Sequence, residues 1–144
     1  MKNFMDDQDF LLSTKTGEEL FHNFAEGMPI VDYHCHISPK EIWDDKRFEN
    51  ITEVWLGGDH YKWRLMRANG VDERFITGDA PAREKFQKWA ETLGRCVGNP
   101  VFEWSHLELK RYFGYEASLT AKPLRRSGTL PTPSSLRPAL PAVT

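Results

Sequence analysis

The chain has 144 residues, 40% of them hydrophobic and 12% aromatic, with a formal net charge of −2. That length suits about one domain with a real core, and the near-neutral balance leaves no basic footprint for nucleic acid. No long apolar span occurs, and the start MKNFMDDQDFLLSTKTGEEL is acidic and broken by polar residues, so the expectation is a cytoplasmic protein without a membrane partner.

Residues 16–26, TGEELFHNFAE, predict a helix. Thr16 and Glu19 have the spacing of a capping box, Leu20, Phe21 and Phe24 form an apolar stripe, and Gly27 can end it. Ile30–His36 follows directly and predicts a strand. Ser38 then caps a short helix that has Pro39 at its first position and Glu41 closing the box. NITEVWLGG predicts another short helix, and DHYKWRLMRANG a longer one with Asp59 as cap and Gly70 as stop. Asp79 is the expected cap of APAREKFQKWAETLG, where Phe86, Trp89, Ala90 and Leu93 recur at helical spacing. FEWSHLELKRYFG ends similarly at Gly114. The inventory is mainly α, with one strand and no internal repeat.

Composition changes near Glu116. Residues 117–144, ASLTAKPLRRSGTLPTPSSLRPALPAVT, contain no acidic residue, no aromatic and five of the nine prolines. Such a segment cannot bury enough apolar surface to order itself, and it is expected to be a disordered tail making no lasting contacts with the rest. Its residue types also dominate a GC-rich gene read out of frame, which is the expected origin. The alternative is a basic, Pro-rich segment that adopts polyproline II and recruits a partner.

The main chemical signal lies in PIVDYHCHISPKEIW. On a strand, alternate side chains share a face, so His34 and His36 would converge on one point while Tyr33 and Cys35 face the other way. Two imidazoles held on one rigid element suit zinc and other transition metals. A hydrogen-bonded core pair or a chance pairing in a loop is the competing explanation, because strong metal signatures demand further ligands. Cys35 is a weak third ligand for the same geometric reason, and Cys35 and Cys96 are read as thiols of a reducing compartment. A lone strand also leaves its backbone groups unpaired, which implies partner strands that this chain lacks. The sequence therefore reads as the beginning of something larger.

Five blocks carry a family likeness: VDYHCHISPKEI, GDHYKWRLMRANGV, ITGDA, EKFQKWAETL and GNPVFEWSHLELKRYFG. In this order they resemble the N-terminal part of bacterial uronate isomerase, also called glucuronate isomerase, a divergent member of the amidohydrolase superfamily. The likeness runs from about Phe4 to Tyr115. It implies a distorted (β/α)8 TIM barrel in the complete enzyme. Strand 1 would lie at about 29–37, a helical insertion would fill 38–114, and residues 1–116 would form an N-terminal piece that is inactive alone. The implied reaction interconverts D-glucuronate with D-fructuronate and D-galacturonate with D-tagaturonate, so the implied partner is a small uronate sugar. The resemblance places a divalent metal, zinc, on His34 and His36, with a further Asp ligand far beyond residue 144. Tyr61 falls where the family carries a tyrosine close to the substrate.

Without the family, Tyr61 and Leu65 are an ordinary packing pair one helical turn apart. His60 is as readily an exposed helix residue as a site residue. Arg64 and Arg67 can attract a carboxylate or simply favour the helix dipole. Asp32 can orient a histidine or cap the strand. His22 and His106 are expected to pack or to lie on the surface. Neither a phosphate loop nor a nucleophile elbow is present. Two rival readings remain, a noncatalytic helical protein whose tail binds a partner and a metal-dependent hydrolase of the same superfamily.

Overall fold

The computed structural model describes residues 8–115 and Leu119. The chain divides into two compact units, Met1–Cys35 and His36–Thr144.

In the first unit, helix α1 spans Lys15–Leu20 and continues as a π-helical turn over Phe21–Ala25. Its cap is Thr14, whose side chain accepts from the Gly17 amide, and not Thr16 as expected. The expected stripe forms, but it is not covered: among the described residues of this unit none is buried, and Phe24 is 71% exposed. A surface clamp holds the unit instead. The His22 ring meets Asp9 through Nε2 and Glu26 through Nδ1, each at 3.0 Å. Those hydrogen bonds, Asp9 first and then Glu26, raise the imidazole above its ordinary value.

The strand expected at 29–37 does not form, and no β-strand occurs among the described residues. Ile30, Val31 and Tyr33 are 81%, 82% and 95% exposed. The physical reason is the one the pattern itself raised. A ladder needs a second strand, and without one the run stays irregular however strong its alternation.

The second unit holds the core. Helix α2 covers Pro39–Trp43, with the Glu41 carboxylate accepting from the Ser38 amide at 3.3 Å as the capping box requires. Helices α3 (Ile51–Leu56), α4 (His60–Ala68), α5 (Ala82–Leu93) and α6 (Pro100–Phe113) follow, with a 3-10 turn at Glu73–Phe75. Asn50, Asp59 and Asn99 cap α3, α4 and α6 through their side chains. Gly70 and Gly114 take left-handed φ of 72° and 64° just past α4 and α6, which is why glycine stands there. Asp79 is not the cap of α5. That position falls to Pro81, while Asp79 lies 3.6 Å from Arg74.

Helix α5 is the centre. It packs on both α3 and α4. Phe86, Trp89, Ala90 and Leu93 are fully or almost fully buried, beside Ile51, Met66, Ile76 and Leu109. Trp55 of α3 stacks on Phe86 with ring centroids 5.9 Å apart, and the Thr52 hydroxyl donates to the Ala82 carbonyl at 3.0 Å. Burying such side chains is worth roughly 1.5–3 kcal/mol each, so this layer dominates the stability of the unit. Cys96 is buried and its thiol donates to the Thr92 carbonyl. No described helix is long and apolar enough to cross a membrane.

The tail expected to be disordered lies outside the described residues except for Leu119. That residue is buried in the core, and its amide donates to Nε2 of His106 at 3.0 Å. Nδ1 of the same ring donates to the Phe102 carbonyl at 2.6 Å, so His106 is a packed histidine with both nitrogens engaged. The packed part of the chain thus reaches past Glu116, where the boundary was expected.

One ion pair gives a pH prediction. Arg67 donates to both Glu73 carboxylate oxygens, at 2.8 and 2.5 Å, and Thr77 donates to one of them at 2.6 Å. Together they hold the Glu73 carboxyl down at about 2, against an ordinary 4.5. A carboxyl depressed by folding stabilises the fold above its unfolded value and loses that contribution as pH falls through the folded one. The turn joining α4 to the 3-10 segment is therefore expected to stay clamped at pH 3. Carboxyl NMR titration of Glu73 checks this, and a midpoint near 4.5 would refute it.

Candidate active site

The start of α4 builds the site. Asp59 Oδ1 accepts from the amides of Tyr61 at 3.0 Å and Lys62 at 3.3 Å, which pins the first turn and sets His60 and Tyr61 side by side on it. The His36 ring lies against both. It stacks on His60 with centroids 4.9 Å apart at 28°, and tilts on Tyr61 at 4.7 Å and 51°. His60 and Tyr61 are themselves 4.7 Å apart. One turn along α4, the Arg64 guanidinium sits 4.9 Å over the Tyr61 ring. Three rings and a cation thus gather at the N-terminal end of one helix, with Tyr61 still 50% exposed.

A charged network lies behind the rings. Asp59 Oδ1 also accepts from Nδ1 of His36 at 3.0 Å, and Oδ2 accepts from Lys62 Nζ at 2.5 Å. Burial opposes ionisation of Asp59, but the Lys62 ammonium and the His36 ring outweigh it and hold the carboxyl below its ordinary value. Deeper still, burial pushes the Glu108 carboxyl up. Lys62 and a hydrogen bond from Trp55 pull the other way, while Asp59 adds to the rise. Sequence reasoning overlooked Glu108. Its signal was a carboxylate at 108 on α6 amid the buried positions 105, 106 and 109.

Of the residues expected to carry chemistry, His36 and Tyr61 come together, and His60 joins them. His34 belongs to the first unit, where its amide donates to the Asp32 carboxylate at 3.2 Å. Asp32 therefore caps a turn of backbone, and the carboxylate that meets the His36 ring is Asp59, 23 residues away. Arg67 points away to Glu73. Among the described residues no three His, Cys, Asp or Glu side chains are placed to hold a metal ion. A carboxylate on Nδ1, as Asp59 is for His36, is a common way of orienting metal-binding imidazoles.

A family model described as glucuronate isomerase matches residues 1–125. The uronate isomerase of Lachnospira eligens is 70% identical over 119 residues, which is 83% of this chain and 25% of that protein. That of Oceanobacillus iheyensis is 64% identical over 119 residues, again 83% of this chain and 25% of the other. Among solved structures, the crystal structure of uronate isomerase from Thermotoga maritima superposes with a TM-score of 0.71 and 39% identity, over 79% of this chain and 25% of that one. The chain spans about a quarter of the length of the relatives it matches. The matched stretch also runs ten residues past Tyr115, where the resemblance was expected to stop.

Proposed function

This chain belongs to the glucuronate isomerase family, and from that premise we propose that it supplies part of the active site of an aldose–ketose isomerase acting on hexuronates. The substrates would be D-glucuronate and D-galacturonate, with D-fructuronate and D-tagaturonate as their ketose partners. The observation that carries the reading is the cluster of His36, His60 and Tyr61 at the start of α4, with Arg64 over the phenol.

Isomerisation moves a proton between C2 and C1 while the oxygens of the same two carbons exchange theirs. The chain offers groups suited to both tasks. Tyr61 is half exposed and its hydroxyl can both donate and accept, so it can hydrogen-bond a sugar oxygen or shuttle its proton. His60 is an exposed imidazole at the same turn, fit to hold a proton beside it. The Arg64 guanidinium carries the charge that a uronate carboxylate seeks. His34 and His36 would hold a divalent cation, zinc by the family likeness, which when bound polarises the oxygens that bear the developing charge.

The chain matches its family to residue 125, so we place any change of reading frame downstream of that point and not at Glu116. Reading the gene in the other frames beyond codon 125 tests this, and the idea fails if neither frame restores acidic, aromatic-bearing sequence.

The functional test uses a family enzyme of full length carrying these residues. Tyr61→Phe is expected to leave metal content intact and to lower kcat by roughly 100-fold, the usual scale for losing a positioned proton-transfer group. Unchanged kinetics would return Tyr61 to the packing role. His34→Ala and His36→Ala are each expected to lower metal content and turnover together.

A further inference from the structure

We infer that His22, seated between Asp9 and Glu26, is a pH-sensitive latch: as an imidazolium it ties the segment ahead of α1 to the π-helical turn that follows, and on losing a proton it lets that segment go. The latch uses none of the residues given a part in the isomerase reaction.

Both ring nitrogens face a carboxylate. Nε2 lies 3.0 Å from Asp9 Oδ1, and Nδ1 lies 3.0 Å from Glu26 Oε2. A carboxylate only accepts, and a neutral imidazole has one N–H and one lone pair, so the two contacts together require a proton on each nitrogen. The ring is then an imidazolium held by two charge-assisted hydrogen bonds, which are stronger than neutral ones. Its place in the last turn of the helix helps, since the carbonyl end of the helix dipole favours a cation. The other charged groups on α1 are Lys15, Glu18 and Glu19, but the largest influences on the ring are its hydrogen bonds to Asp9 and then to Glu26. The neighbouring Phe21 ring, 5.2 Å away at 75°, is uncharged.

Deprotonation leaves a lone pair facing one of the two carboxylates, and chain connectivity decides which contact breaks. Glu26 is one helical turn on, four residues from His22, whereas Asp9 is thirteen residues away, so holding Asp9 closes a loop at a cost in chain entropy. The Asp9 contact is therefore the one given up. The segment it holds is strained. The Leu12 amide donates to the Asp9 carbonyl at 3.0 Å, and Leu11 between them has φ of 62°, a left-handed backbone that a bulky side chain disfavours. Such a conformation persists only where surrounding contacts impose it, and Leu11 is 76% exposed, so burial does not. The latch supplies such a contact. Because folding raises the His22 imidazole above its ordinary 6.5, the latch contributes fully below 6.5 and is lost as pH rises through the raised value.

The experiment is a pH titration of the 144-residue chain by NMR, with the His22 ring signals assigned through bonds to its backbone. The ring is expected to titrate with a midpoint above 6.5, and the backbone amide signal of Leu12 to move through the same midpoint as its segment is released. Asp9→Asn keeps the Glu26 contact but removes the charge at the other nitrogen. In that variant the His22 midpoint is expected to shift down towards 6.5 and the Leu12 amide to lose its response. His22→Gln is expected to abolish the Leu12 response as well. A wild-type His22 midpoint at or below 6.5 would overturn the inference. So would a Leu12 signal that stays fixed while the ring titrates, or one that still responds in His22→Gln. Should a variant fail to fold, the wild-type titration decides alone.

Discussion

Trp89→Ala is expected to abolish the cooperative unfolding of the His36–Thr144 unit. Trp89 is fully buried at the middle of α5, among Phe86, Ala90 and Leu93 on its own helix and the buried side chains of α3 and α4. Truncating a buried Trp or Phe costs about 3–5 kcal/mol, the sum of lost transfer free energy and an unfilled cavity. The roughly 80 residues described from His36 to Tyr115 would have a total stability of roughly 4–12 kcal/mol at the usual 0.05–0.15 kcal/mol per residue. At the lower end of that range the variant stands close to zero net stability. Urea unfolding followed by far-UV circular dichroism should give a broad, baseline-like decline where the wild-type chain gives a sigmoid. Trp89→Phe supplies the contrast. The indole N–H finds no acceptor among the described residues, so replacing it removes a buried donor that itself costs about 1–3 kcal/mol. That gain offsets part of the lost volume, and the midpoint should move far less than with Ala. Equal losses in the two variants would show that packing at α5 is not what holds the unit together.

A second large effect concerns activity. The 144 residues alone, supplied with zinc, are expected to convert D-glucuronate to the ketose no faster than buffer does. A (β/α)8 barrel takes about 250 residues and places its chemistry at the ends of several strands. The chain covers a quarter of its relatives' length, and no β-strand occurs among its described residues. The cluster at α4 offers Tyr61, His60 and Arg64 on an open surface, where water competes for every hydrogen bond and no enclosure shields a charged intermediate. Two imidazoles also leave a cation short of the carboxylate that the family likeness expects, so binding would be weak. Turnover near 1 s⁻¹, an ordinary enzyme rate, would show that the remaining three quarters of the relatives contribute less than this reasoning requires. The same deficit shows in the first unit, where Ile30 and Val31 stand exposed in the stretch that reads as a buried strand. Those side chains are suited to a sheet, and an unpaired apolar run of this kind favours association.

Much of the helical layout could be read before any coordinates. Ser38, Asp59 and the Gly70 and Gly114 stops were legible because a cap or a left-handed stop is decided within about four residues of itself. Where two caps competed locally, the reading slipped. Thr14 won over Thr16 because its hydroxyl accepts from the Gly17 amide, and Pro81 over Asp79 because α5 starts where it can bury Phe86, Trp89 and Leu93. The strand expected at 29–37 is not seen among the described residues for a different reason. Period-two alternation records what a segment is suited to, but a strand exists only when a second chain segment supplies its hydrogen bonds.

From the sequence alone came the metal-suited His-x-His pair, the family likeness and the tyrosine at 61, since these rest on residue types in a fixed order. The tertiary structure alone decided that His36 meets His60 and Tyr61, that Asp59 and not Asp32 takes a histidine ring, and that Glu108 and Leu119 are drawn into the packed unit. The physical reason is separation along the chain. Residues such as His36 and Asp59 lie 23 positions apart, and what joins them is the packing of α3, α4 and α6 around α5, which no local pattern encodes.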